Sequence, residues 1–173
     1  MSAILERPAA DEFAPFYAGY ISRVPDGNIV ATLDGQIADT LSLLRAIPEA
    51  RGVHRYAPDK WSIKEIVGHM CDTERVMAYR ALRMARGDQT PLASFDQDPW
   101  VKASRFDERS MASLTTELEH VRWTTIDLLR PLDEDALLRR GTASGVTLTP
   151  RSLAYIIAGH ERHHVAVLRE RYL

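Results

Sequence analysis

The residues with most chemical content lie near the C-terminus, in Ile156-Ile157-Ala158-Gly159-His160-Glu161-Arg162-His163-His164. Three histidines fall within little more than one turn of an expected helix. His160 and His164 are four residues apart, so they share one helical face at a spacing that lets two imidazoles reach a common ion. An ion held by protein needs a further ligand. His69, in Trp61-Ser62-Ile63-Lys64-Glu65-Ile66-Val67-Gly68-His69, stands on a second helical segment. The arrangement predicts a mononuclear three-histidine site between two helices. Imidazole ligands suit zinc, and also nickel, iron or copper. Three of them leave a coordination position open for water or substrate, which separates a catalytic site from a closed structural one.

The run His160-Glu161-Arg162-His163-His164 also satisfies H-E-x-x-H, in which Glu161 would be the general base of a zinc protease. The surrounding sequence does not fit that chemistry. The third protease ligand comes from downstream, whereas Glu170 would share the helix of His164. Glu161 is therefore retained only as a catalytic candidate, for proton transfer beside an ion.

Helices must position these groups. Apolar residues at three- and four-residue spacing, Ile29, Leu33, Ile37, Leu41 and Leu44, predict a first long helix from Asn28 to about Ile47, stopped by Pro48. Ser62-Ile63-Lys64-Glu65 is a capping box that opens a second, running through Met70, Met77 and Met84 to Gly87. A long aromatic-rich connection with Pro91, Phe95, Trp100 and Phe106 follows, and loops of that length are often functional. A third helix runs from Ser110 to about Leu129, and Asp133 to Leu138 reads as a helical turn. Thr149 as N-cap and Pro150 at the first helical position open the last, with His160 and His164 inside its apolar stripe and His163 at the edge. Little of the chain reads as strand. The fold class is all-α, a four-helix bundle in one domain over 1–173, with residues 1–12 as a loose N-terminal segment.

The remaining candidates have plain readings. Cys71 is a small core residue, Glu65 a cap one turn before His69 that could also orient its ring, and Met70, Met77 and Met84 core fillers. Trp61 and Trp100 are packing residues, with pocket lining as the alternative. His54 and His120 have no motif around them.

Composition bounds the function. The 173 residues are 45% hydrophobic and 27% charged, ordinary for a globular domain. A net charge of −2 argues against a general nucleic-acid partner, which needs clustered positive charge. No apolar run approaches the roughly 20 residues of a membrane span, so no membrane is expected. The N-terminus lacks the pattern of a signal peptide, and one cysteine fits a reducing compartment, so the expected location is cytoplasmic. The amphipathic helices and the aromatics Phe13, Phe16, Tyr17 and Tyr20 raise the expectation of a homodimer.

Trp61-Ser62-x-x-Glu65-x-x-x-His69, followed on the terminal helix by His160-x-x-His163-His164, resembles the DinB/YfiT-like superfamily over nearly all of the chain. The resemblance implies a four-helix bundle whose second and last long helices bind a divalent metal. Carried over residue by residue, the ligands are His69, His160 and His164, with His163 the common non-ligand of the motif. Thiol-dependent transferases and isomerases that use bacillithiol, mycothiol or related cofactors belong to that superfamily. The expectation is therefore an enzyme with one zinc or nickel ion per chain. It would activate a low-molecular-weight thiol for S-transfer or isomerisation of a small-molecule substrate. The alternatives are a metal-dependent hydrolase using metal-bound water, and a non-catalytic stress-response or binding module that the metal braces.

Overall fold

Each long helix begins where a side chain caps its free amides. The structure, a computed structural model, describes residues 6–173. In chain order its elements are α1 (Ala18–Ile21), α2 (Ile29–Arg45), α3 (Ile63–Ala85), α4 (Gln97–Ser104), α5 (Met111–Leu129), α6 (Glu134–Leu138), β1 (Gly141–Ala143), β2 (Val146–Leu148) and α7 (Pro150–Val167). Asn28 Oδ1 accepts from the amides of Val30 and Ala31 at 2.9 and 3.1 Å. At Ser62 the expected capping box forms, with the Glu65 amide donating to Ser62 Oγ at 3.0 Å and the Ser62 amide to Glu65 Oε2 at 2.8 Å. Thr149 and Ser152 cap α7 reciprocally, and Pro150 leads that helix. Gly87, at φ +80°, ends α3. Its amide donates to the Met84 carbonyl and that of Asp88 to Arg83, a closure that needs a left-handed residue at this point.

Four helices, α2, α3, α5 and α7, form the bundle. The principal faces are α3 on α7, α3 on α5, α2 on α5 and α2 on α7. Chain-successive α2 and α3 therefore lie across a diagonal, as do α5 and α7. Two apolar clusters fill the interior. One is built on Leu33, Met77, Ile126 and Ile157, the other on Ile37, Met70, Leu114 and Leu168. Between them, in the order of each helix, fall the buried polar residues Gln36, Glu74, Arg122, and His160 and Glu161, with Thr40 and His69 one turn or so into the second cluster's part of α2 and α3. The bundle thus carries a polar layer near its middle.

Several elements differ from or sharpen the expectations. Residues 1–5 lie outside the described part of the expected loose segment. Beyond them, Ala10–Glu12 is a 3-10 turn, and the buried Glu12 accepts from Thr149 and Arg151 of α7. The chain is held there because Arg151, itself buried, needs a carboxylate partner. The aromatic segment forms a 3-10 turn, Pro15–Tyr17, leading into α1, which packs on α7. The aromatic-rich connection is partly helical, holding α4 and the 3-10 turn Phe106–Glu108. The small hairpin β1–β2 is the element that helical periodicity passes over. Its turn residues Ser144 and Gly145 both have positive φ, 54° and 76°, the geometry of a tight hairpin turn. Leu92 of the connection pairs beside it, its amide donating to the Thr142 carbonyl at 2.9 Å.

Candidate metal centre

His69 comes from α3, and His160 and His164 from α7. Each of the first two histidines follows a glycine, and both glycines are places of close approach. A Cβ at Gly68 would stand 2.4 Å from the Phe106 ring, and one at Gly159 would stand 2.1 Å from the Tyr20 carbonyl oxygen. The bare Gly159 lets α1 lie directly on α7, which places the Tyr20 ring edge-on to His160 and His163, at 5.5 and 5.6 Å between centroids. Trp61, just before α3, lies 4.7 Å from the His69 ring. The Tyr172 hydroxyl donates to the Trp61 carbonyl at 2.6 Å, which holds the start of α3 against the π-helical turn Leu168–Tyr172 that follows α7.

The three imidazoles converge. His160 Nε2 is 3.0 Å from His69 Nε2 and 3.1 Å from His164 Nε2. A ligand nitrogen from each of the three lies within 4.8 Å of the others. An imidazole nitrogen carries either one proton or one lone pair. It can satisfy one such neighbour by hydrogen bonding, not two. Three lone pairs aimed at a shared point are satisfied together by a cation, and zinc–nitrogen bonds of about 2.0–2.1 Å in tetrahedral geometry would put nitrogens about 3.3 Å apart. The observed spacing is close to that, so the donor set fits a divalent ion.

Electrostatics favour the ligand form. Burial lowers the His69 pKa to about 4, with the charge of His163 adding to the effect. Burial also holds His160 and His164 well below the usual histidine range, reinforced by their imidazole neighbours. At neutral pH all three are uncharged and carry free lone pairs. Thr73 Oγ1, one turn beyond His69, stands 3.4 Å from its Nδ1. Glu65 serves its helix cap and pairs with Arg55 instead of the histidine ring.

Glu161 does not face this cluster. Its carboxylate accepts from Arg122 Nη2 at 2.6 Å and from Gln36 and Thr40 of α2. Arg122, fully buried on α5, also donates to both oxygens of Glu74 at 2.8 Å and to the Leu33 carbonyl at 3.2 Å. The hydrogen bonds of this carboxylate run to α2 and α5, and none runs to the histidines. This ionic layer ties all four bundle helices together, and reading the chain for chemistry passed it over. The signal is present: Leu118, Arg122 and Ile126 follow at four-residue spacing, so the arginine sits on an apolar stripe. His163 stands beside Tyr20 at the edge of the cluster, outside the convergent three. His54 packs on Tyr172. Cys71 is buried, and burial pushes its thiol pKa up, as suits an unreactive core residue.

A cavity of about 550 Å³ opens onto His69, His160 and His164. Aromatic side chains dominate its walls: Phe16, Tyr17, Tyr20, Trp61 and Phe95. Among the described residues none lining it is Asp, Glu, Lys or Arg. The hairpin contributes Ser144 and Val146, so the element missed by periodicity is a wall of the site. Trp61 is thus a cavity residue, whereas Trp100 is half exposed against Phe95.

A helical bundle with convergent imidazoles at an open cavity is an architecture that could hold a metal ion between facing helices. The family model of the DinB superfamily matches residues 32–168, and the chain belongs to that superfamily. No curated protein matches it in sequence. Among solved structures it is similar to YfiT from Bacillus subtilis, described as a probable metal-dependent hydrolase with an unusual four-helix bundle topology. That match has a TM-score of 0.73 and 16% identity over 98% of this chain and 93% of that one. It is also similar to a mycothiol-dependent maleylpyruvate isomerase, with a TM-score of 0.68 and 14% identity over 84% of this chain and 61% of the other. At these identities the likeness is one of fold. No helix among the described residues is long and apolar enough to cross a membrane.

Proposed function

We propose that His69, His160 and His164 hold one divalent ion, zinc or nickel, in an enzyme that transfers a low-molecular-weight thiol to an apolar small molecule. The observation that carries this reading is the convergence of three neutral imidazoles at the wall of a 550 Å³ aromatic cavity. When bound, such an ion supplies Lewis acidity that lowers the pKa of a thiol or water drawn to it. The lining favours the thiol. Hydrolysis is assisted by a general base within hydrogen-bond reach of the attacking water. Among the described residues the aromatic cavity has no carboxylate, and Glu161 is occupied by Arg122. A thiol, far more acidic than water before it meets the ion, depends less on such a base. Aromatic walls exclude water and grip an apolar electrophile, while Tyr20 and Trp61 brace the imidazoles against rotation. The two structural neighbours, one described as metal-dependent and one as mycothiol-dependent, support both parts of the proposal.

The test uses cobalt-loaded protein, 2-mercaptoethanol and chlorodinitrobenzene. A carbon–sulfur bond forms, chloride leaves with its electron pair, and the thiol proton passes to solvent. The expected result is a thiol-induced change in the visible cobalt spectrum and turnover that requires both metal and thiol. His160→Ala should lower turnover by about a hundredfold or more, the scale of losing a positioned catalytic group. Metal-dependent ester cleavage without thiol, and no thiol transfer, would overturn the reading in favour of a hydrolase.

A further inference from the structure

The histidine cluster is reached from two sides. Besides the aromatic cavity, a second chamber of about 490 Å³ opens beside His164, and charged residues join apolar ones in its walls. Lys60, Asp59 and Asp98 line it, together with Tyr56, Tyr172 and His163. Trp61 and His164 are the two residues that line both chambers. The indole of Trp61, lying 4.7 Å from the His69 ring, stands as the partition between them. The Trp61 backbone is held on the C-terminal side, by the Ser62 capping box that follows it and by the Tyr172 hydroxyl on its carbonyl.

We propose that this is a two-substrate site in which an uncharged, apolar molecule occupies the aromatic chamber and a small zwitterion of amino-acid type occupies the polar one, the two meeting at Trp61 and His164. The thiol-transfer reading explains why two molecules should meet there, and to that extent the proposal rests on it. Occupancy of the chambers by two chemistries is a separate matter that the walls decide.

Away from the histidines, an ion entering the aromatic chamber would lose its hydration with no charged side chain among the described residues to replace it, which is costly. An apolar ring gains by the same transfer. The polar chamber offers both signs of charge. Lys60 Nζ pairs with Asp59 Oδ2 at 3.2 Å, and both side chains are well exposed, 45% and 77%. Such a pair holds little energy of its own, so a ligand carboxylate can take the ammonium and a ligand ammonium the aspartates at small cost. Asp98, in the first turn of α4, adds a second carboxylate to that wall. Chambers of these sizes suit molecules of modest mass, one in each.

The experiment is calorimetric titration of the full-length protein, as isolated and after chelator treatment, with two probes. One is naphthylmethanol, neutral and aromatic. The other is S-methylcysteine, a zwitterion without a free thiol, so that its binding is not read through metal–sulfur contact. Both should bind, and saturation with one should change the affinity for the other by less than about threefold. Lys60→Glu should weaken S-methylcysteine by about fivefold, the size of an exposed charge contact, and spare naphthylmethanol. Val146→Asp, at the aromatic wall, should weaken naphthylmethanol by about tenfold and spare S-methylcysteine. Mutual displacement of the probes, failure of either to bind, or variants that weaken both alike would overturn the proposal. Independent binding of both probes to protein that takes up no metal would support the two chambers and overturn the metal reading, so the two failures are distinct.

Discussion

His160 Nε2 has two imidazole nitrogens at hydrogen-bond distance and only one site with which to answer them. That imbalance is what the residue scale contributes, and it was legible early, because the four-residue spacing of His160 and His164 and the helical setting of His69 can be read from the chain. What could not be read is the company those residues keep. Glu161 looks like a catalytic base when only its neighbours in sequence are seen, yet its partner Arg122 comes from α5 and its hydroxyl and amide donors from α2. The consequence is energetic. Arg122→Met would leave Glu74 and Glu161 as buried carboxylates without a counter-charge, and removing one partner from a buried ionic group costs about 3–5 kcal/mol. Denaturant unfolding should show that loss, and a stability within about 1 kcal/mol of the parent would mean that the layer carries no structural role.

At the scale of elements, capping chemistry and apolar periodicity located the four bundle helices to within a few residues, since both are local properties of the chain. Ser62-Ile63-Lys64-Glu65 and Thr149-Pro150 open their helices at the expected residues. The pairing of those helices is not local, and the diagonal placement of α2 and α3 has no signature in either sequence. The hairpin has one, Ser144-Gly145 between short alternating runs, but three-residue strands are too brief for periodicity to detect. The element that most directly sets the site is α1, seated on α7 at Gly159. Gly159→Ala puts a methyl group into the Tyr20 carbonyl, a backbone atom that cannot swing aside. Overpacking of this kind typically costs about 1–3 kcal/mol. The melting temperature should fall, and the ring protons of Tyr20 should lose their contacts to His160 and His163 in NMR spectra. An unchanged spectrum would show that α1 yields without disturbing the cluster.

For the molecule as a whole, the buried histidines link folding to pH. His69 takes up its proton near pH 4 when folded and near 6.5 when unfolded. Between those values the unfolded chain binds more protons, so stability rises with pH there and is lost as pH falls from 6.5 towards 4. His160 and His164 are shifted in the same direction and deepen the effect. One fully linked imidazole changes stability by about 1.4 kcal/mol per pH unit. Chelator-treated protein should therefore unfold progressively more easily over that window, and His69→Gln should flatten the profile. A profile that is level from pH 6.5 to 4 would mean that the imidazoles are not held neutral by burial. Metal acts in the opposite sense, since an ion bound only by the folded state at a hundred times its dissociation constant adds about 2.7 kcal/mol.

The central claim is that His69, His160 and His164, and not His163, form one metal site, and elemental analysis of purified protein supplied with zinc or nickel tests it most directly. The parent and His163→Ala should each retain about one ion per chain, whereas His69→Ala, His160→Ala and His164→Ala should each retain little, because two imidazoles bind far more weakly than three. Loss of the ion in His163→Ala with retention in His164→Ala, or a folded parent that holds neither metal, would contradict the account.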